Sequence, residues 1–400
     1  MIRYLCVVLA ALAASLLGAC GSSDSAAPTP PPPTGPIEQP AVVNLYPNEL
    51  PDSAARLTIM ITSVGNVPVG MPAIFDTGSA GLTLYAPGIF PDSVVTTTGF
   101  VFPPGQSSMT YEGITVTNQN GTRTYGSTDP RAQNGNIGYA TVTFGDAQGG
   151  LTTAVMPVFF YYSVTDLTTG EILAPPVQKG VFGVASTSGT IVLPGSVQGT
   201  ADYPACSPQT DNTCYVVSVL KYLQFGQSLK AGFLLTPAPI QDCDITTPGG
   251  CAPAPILTLG LTSALEAGFS TLSLTCPPVG YAGPTPIAGY PVCGKFISDS
   301  TITVSGDTTG TVSGSLIFDT GTANMQIAVA AGSSFPSSVP PGSTVLMATP
   351  SGFTYDYTAG AGVFTTIVNT GTSLDSIVGI GYFTTHSFFI DLASGIEGWK

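Results

Sequence analysis

Apolar and polar positions alternate in short runs over most of the chain, with glycine, proline and asparagine between the runs. A period of two predicts strands joined by tight turns. Residues 56–62 alternate loosely and predict one strand; after a turn at Val64-Gly65-Asn66, residues 67–75 predict a second. Gly81-Leu82-Thr83-Leu84-Tyr85 continues as a third. Further strands are expected at residues 135–145, 180–185, 232–235, 256–261, 301–305 and 314–318, with closing runs at 376–383, 387–392 and 395–399. One segment departs from this rule. Val216, Val219, Leu220 and Leu223 recur at helical spacing, which predicts an amphipathic helix over residues 214–225 with a packing role.

Composition strengthens the β reading. The 48 glycines, 36 prolines and 8% charged residues fit a turn-rich β protein, and 400 residues suffice for two packed lobes. A formal charge of −14 argues against nucleic acid and against a polybasic membrane surface. So few cations are compatible with work in acid, since little positive charge accumulates as carboxylates protonate.

The candidate chemistry lies in a repeated hexad. Ile74-Phe75-Asp76-Thr77-Gly78-Ser79 returns as Ile317-Phe318-Asp319-Thr320-Gly321-Thr322, 243 positions later (319 − 76). Each copy is an apolar strand running into an Asp-Thr-Gly turn, which presents a carboxylate, a hydroxyl and a glycine that lets another backbone approach. A lone copy reads as turn chemistry; two copies, each preceded by Ile-Phe, point to paired carboxylates. Other chemistries find no footing. The single histidine, His386, is expected on a strand or loop and leaves little room for Ser-His-Asp or Cys-His catalysis. There is no His-Glu-x-x-His, phosphate-binding Gly-x-x-x-x-Gly-Lys or EF-hand loop, so neither a metal nor a cofactor is expected.

The N-terminus looks like a targeting segment. Arg3 precedes an apolar stretch, Tyr4 to Leu17, that is short for a spanning helix and closes on Leu17-Gly18-Ala19-Cys20. This resembles a bacterial lipobox, which implies a signal peptide over residues 1–19 and lipidation of Cys20. An ordinary signal peptide with a chance cysteine is the other reading. Gly21 after the cysteine resembles lipoproteins sent to an outer membrane. Residues 20–44, rich in proline, predict a semi-rigid tether. The remaining cysteines are Cys206, Cys214, Cys243, Cys251, Cys276 and Cys293. Of fifteen possible pairings, nearest neighbours (206 with 214, 243 with 251, 276 with 293) close the shortest loops. Zinc is the rival reading, disfavoured because no Cys-x-x-Cys spacing occurs and the histidine is distant.

A hairpin whose second strand ends in Asp-Thr-Gly-Ser resembles the opening of the pepsin family of aspartic proteases. Thr124-Tyr125-Gly126-Ser127, with the Gly138-Tyr139 strand after it, resembles that family's flap, and the tip at residues 128–134 looks longer than usual. The segments at 180–185 and 376–383 resemble the apolar-Gly strands threading behind each Asp loop, with Gly183 and Gly379 small because a second backbone crosses there. The tail at 387–399 resembles the family's closing strands.

The resemblance implies an all-β, bilobal pepsin-like acid protease fold: two β-barrel-like lobes, residues 45–200 and 201–400, with a central cleft. It implies Asp76 and Asp319 as the catalytic pair, sharing one proton and activating a water. Thr77 and Thr320 would cross-link the loops. Gly78 and Gly321 would allow close approach, Ser79 and Thr322 would bond the outer carboxylate oxygens, and Tyr125 with Gly126 would form the flap. Thr83 stands where the family usually has a tryptophan bonded to the flap tyrosine. The segment after Cys20 is also short for a pepsinogen-like prosegment. The expectation is therefore an aspartic endopeptidase, monomeric, anchored to the cell envelope and acting on polypeptides. Two alternatives stay open: a processing protease with one narrow target, and a catalytically silent envelope lipoprotein that binds or supports.

Overall fold

The computed structural model describes residues 35–49, 54–126, 130–145, 150–174, 176–193, 213–247, 249–276, 290–371 and 373–400. The expected signal peptide, Cys20, most of the tether and Cys206 lie outside the described residues.

The chain is all-β and two-lobed, and its strands fall into three groups. The first is a curved sheet from the first half of the chain. Ala55–Val64 and Val67–Asp76 form its founding hairpin, turning at Gly65. Gly180–Val184 then lies parallel to the second of these, with Gly183 opposite Asp76. On its other side that strand pairs antiparallel with Ala80–Tyr85, the strand leaving the Asp loop. Arg131–Ala140 and Val142–Phe144 are parted by Thr141 alone, and the shorter strand returns to pair with Ala55–Val64. The sheet thus curls back on itself without the unbroken ladder of a closed barrel.

The second lobe is a seven-stranded sheet built on the hairpin Ile297–Ser305 and Gly310–Phe318. Asp375–Val378 lies parallel to the strand that delivers Asp319, as Gly180–Val184 does in the first lobe. Between the lobes, Ala41–Glu49 pairs through residues 41–45 with Ala254–Leu261 and through residues 46–49 with Ala55–Val64. Lys230–Leu235, Phe388–Asp391 and Ile396–Trp399 complete this middle layer.

The phenylalanine of each hexad anchors its Asp strand in the core. Phe75 is fully buried, stacked on Phe182 at 6.1 Å and edge-on to Phe233 at 5.6 Å. Phe318 packs against Tyr382 at 4.8 Å, Phe388 at 5.9 Å and Trp399 at 5.5 Å. Burying such a ring contributes about 1.5–3 kcal/mol, so each Asp turn leaves from a fixed point.

The helix expected at residues 214–225 does not form. Thr213–Val217 is a strand pairing with Ser188–Val192, and only Val219–Tyr222 makes a single 3-10 turn. The four apolar positions are buried as expected, but the β-branched Val216 and Val217 favour the ladder the neighbouring strand offers. Cys243 bonds Cys251 and Cys276 bonds Cys293. Cys214 is also disulfide-bonded.

Candidate active site

Each Asp-Thr-Gly turn folds around its own carboxylate. Asp76 Oδ1 accepts from the Gly78 amide at 2.7 Å and the Ser79 amide at 3.1 Å, and Oδ2 accepts from the Ser79 hydroxyl. Asp319 repeats the pattern: Oδ1 accepts from the Gly321 amide at 2.7 Å and Oδ2 from the Thr322 hydroxyl at 2.7 Å. The two loops are then tied together by their threonines. The Thr77 amide donates to Thr320 Oγ1 at 3.0 Å, and the Thr320 amide donates to Thr77 Oγ1 at 3.0 Å. Thr77 Oγ1 donates to the Phe318 carbonyl at 2.7 Å and Thr320 Oγ1 to the Phe75 carbonyl at 2.6 Å. Both side chains are buried, so the cross-link is dry.

This cross-link brings each glycine over the opposite carboxyl. A Cβ at Gly78 would fall 2.3 Å from Asp319 Cγ, and one at Gly321 would fall 2.7 Å from Asp76 Cγ. No other residue type fits without moving a carboxyl. Gly183 and Gly379 serve the same end behind the loops, where a Cβ would meet the Ala80 backbone at 2.8 Å and the Asn324 carbonyl at 2.2 Å. The carboxyls of Asp76 and Asp319 lie within hydrogen-bonding reach of each other. Burial, and after it the charge of Asp76, push the Asp319 carboxyl up to about 7. Protein surrounds it on every side but the cleft, which is why desolvation outweighs the neighbouring charge.

A cleft of about 740 Å³ opens over the pair, lined by Asp76, Gly78, Ser79, Asp319, Gly321 and Thr322 together with Tyr125 and Gly126. The last two come from the hairpin Ile114–Tyr125 and Arg131–Ala140, whose final pair is Tyr125 opposite Arg131. Arg131 to Asn134 are therefore strand residues, and the tip is shorter than their sequence implies. The Tyr125 hydroxyl is shut off from solvent and turned toward Thr83, without a hydrogen bond of good geometry. Burial pushes it up to about 12. Thr83 Oγ1 instead accepts from the Val181 amide at 3.2 Å. Tyr125 is held from below by Arg123, whose guanidinium lies 4.9 Å from its ring.

Sequence reasoning missed Arg123 and Lys295. Arg123 is 3% exposed and donates to the Ala80 carbonyl, while Lys295 reaches from the other half of the chain to donate to the Gly78 carbonyl at 2.6 Å. Their scarcity was the available signal, since the chain holds nine Lys and Arg in all. His386 sits in a loop, stacked on Tyr382 and edge-on to Tyr355, outside the cleft lining.

No protein-family model matches the chain, and no curated protein matches its sequence. Solved structures do match. The chain is similar to the crystal structure of an aspartic proteinase from Irpex lacteus, with a TM-score of 0.51 and 14% identity, over 90% of this chain and 97% of that one. An identity so low speaks to the fold alone: the bilobal, all-β pepsin-like fold.

Proposed function

We propose that the protein is an aspartic endopeptidase hydrolysing peptide bonds in extended polypeptides. The observation carrying this reading is the reciprocal threonine cross-link, which sets two carboxyls side by side at the floor of one cleft. Two such groups do not both ionise cheaply, so the pair holds one proton over a wide acid range. The raised proton affinity belongs to the pair, and its protonated member donates to the scissile carbonyl oxygen. Asp76 accepts one hydrogen bond more than Asp319, an asymmetry that suits the base removing a proton from water. Attack gives a tetrahedral gem-diol; its collapse breaks the C–N bond and the amine leaves protonated. Tyr125 and Gly126 cover the cleft and limit access of bulk water. Neither metal nor covalent intermediate is required.

We further propose residues 45–200 and 201–400 as the two lobes of a monomer and, from Leu17-Gly18-Ala19-Cys20 alone, Cys20 as a lipid-bearing residue that holds it at the cell envelope, at an outer membrane. Cys20→Ser would release the protein from the membrane fraction; retention there would refute the anchor. The proteolytic test compares the full chain with the Asp76→Asn, Asp319→Asn variant on a denatured protein between about pH 3 and pH 7. Acid-favoured cleavage lost in the variant and with a statine-type inhibitor supports the reading. Equal background from two folded preparations sinks it. One observation favours a silent binding protein instead: the flap tyrosine lacks the hydrogen bond expected to fix it over the cleft.

A further inference from the structure

The cleft's charge runs against that of the chain. Of nine Lys and Arg in a chain of formal charge −14, four line it: Arg56, Arg123, Arg131 and Lys295. Among the described residues, the only carboxylates in its lining are Asp76 and Asp319, which together hold one negative charge when they share a proton. Arg131 is offset by the nearby charge of Asp166, and Arg56 donates to the Ala55 carbonyl at 2.8 Å. The other two are placed differently. Arg123 and Lys295 both lie against the first Asp loop, donating to the carbonyls of Ala80 and Gly78, and neither has a carboxylate within ion-pair distance among the described residues.

Arg123 is the more telling of the pair. It is 3% exposed, and its Nη1 has no hydrogen-bond partner. A buried cation served only by a carbonyl and a ring face is costly, and a fold needing only a loop brace could use a neutral donor. Its place is also kept open: a Cβ at Gly189 would fall 2.8 Å from Arg123 Nη2. Lys295 is half-buried, leaving part of its ammonium toward the cleft. A concave, partly desolvated site of one sign concentrates ligands of the other, all the more where the surrounding surface repels them.

We propose that the cleft selects acidic peptides, with Lys295 receiving Asp or Glu side chains beside the bond held over the Asp pair and Arg123 adding its positive charge from behind the first Asp loop. This rests on the endopeptidase reading for turnover, but not for binding. It also restricts the working range. Substrate carboxylates are ionised above about pH 4.5, while the Asp pair keeps its proton to about pH 7, so selection and catalysis coexist between the two.

The test uses nonapeptides of three Phe-Ala-Glu repeats, with Gln and Lys counterparts, on the full chain at about pH 5.5. The expected result is a kcat/KM about tenfold higher for the Glu peptide than for Gln, and a lower value still for Lys. The Glu-to-Gln ratio should fall towards one in about 500 mM NaCl and in Lys295→Met, whatever that substitution does to the common rate. Arg123→Met is the second variant, read by the same ratio if it folds. Fluorescence anisotropy with labelled peptides on the Asp76→Asn, Asp319→Asn variant reports the preference without turnover. Cleavage of all three peptides at equal rates overturns the charge selection and leaves the protease standing. A Glu preference in binding with no cleavage by the wild type upholds the selection and removes the protease. Absence of both binding and cleavage overturns both.

Discussion

Replacing Thr320 by valine removes one hydroxyl and almost no volume. That hydroxyl accepts from the Thr77 amide at 3.0 Å and donates to the Phe75 carbonyl at 2.6 Å. Thr320 is fully buried, so no water reaches the two groups left behind. Each of the two stranded buried groups costs about 1–3 kcal/mol, the lost bond included, giving an expected loss of about 2–6 kcal/mol. Urea unfolding measures it through the fluorescence of Trp399, the one tryptophan and fully buried, with far-UV circular dichroism as the second probe of a single transition. Thr77→Val should cost a similar amount, because it strands the Thr320 amide and the Phe318 carbonyl. The two hydroxyls lie 3.5 Å apart in one network, so the double variant should depart measurably from the sum. Thr303→Val is the control: its hydroxyl meets Thr311 at 3.1 Å on an exposed face, and the change should stay within about 0.5 kcal/mol. A loss in Thr320→Val no greater than the control's would refute the load assigned to the cross-link.

Asp319 binds its proton more tightly folded, at about 7, than its ordinary value of 3.8. The stability it contributes is complete below about pH 4 and lost as pH rises through about 7, and peptide cleavage should decline over the same upper limb; a rate rising beyond pH 7 would contradict this. Glu397 is buried with Oε2 unpartnered, and burial pushes it up to about 8. Glu397→Gln should therefore match the wild type near pH 4 and unfold at higher temperature than it above about pH 8, as scanning calorimetry would report. Tyr125→Phe removes a hydroxyl without a good hydrogen bond, so its stability should change by less than about 1 kcal/mol. A larger loss in urea unfolding would mean that the Thr83 contact is a working bond.

Much of the site was legible because its residues recur in one local order. Ile-Phe-Asp-Thr-Gly carries a core anchor, a carboxylate, a cross-linking hydroxyl and a residue without Cβ in consecutive positions. The structure brings Asp76, Gly78, Ser79, Asp319, Gly321 and Thr322 to one cleft with Tyr125, and buries Thr77 and Thr320. The disulfides at 243–251 and 276–293 were legible for the same reason, being local. The failed helix at 214–225 marks where local pattern stops being sufficient. Buried positions three and four apart also occur where a strand passes into a 3-10 turn, and a partner strand far away in sequence decided between them.

By itself, the sequence determined the strand-rich fold class, the two Asp turns and the residues each would present, because side-chain period and turn chemistry act over a few residues. Only the tertiary structure decided what those turns do to each other. The reciprocal threonine bonds, the glycines facing the opposite carboxyls and the upward shift of Asp319 all arise between groups some 243 residues apart. It alone decided, too, that Arg123 and Lys295 meet the same five-residue loop, so that an acidic chain keeps a basic cleft. Desolvation and charge coupling depend on distance in space, and no spacing along the chain encodes that distance.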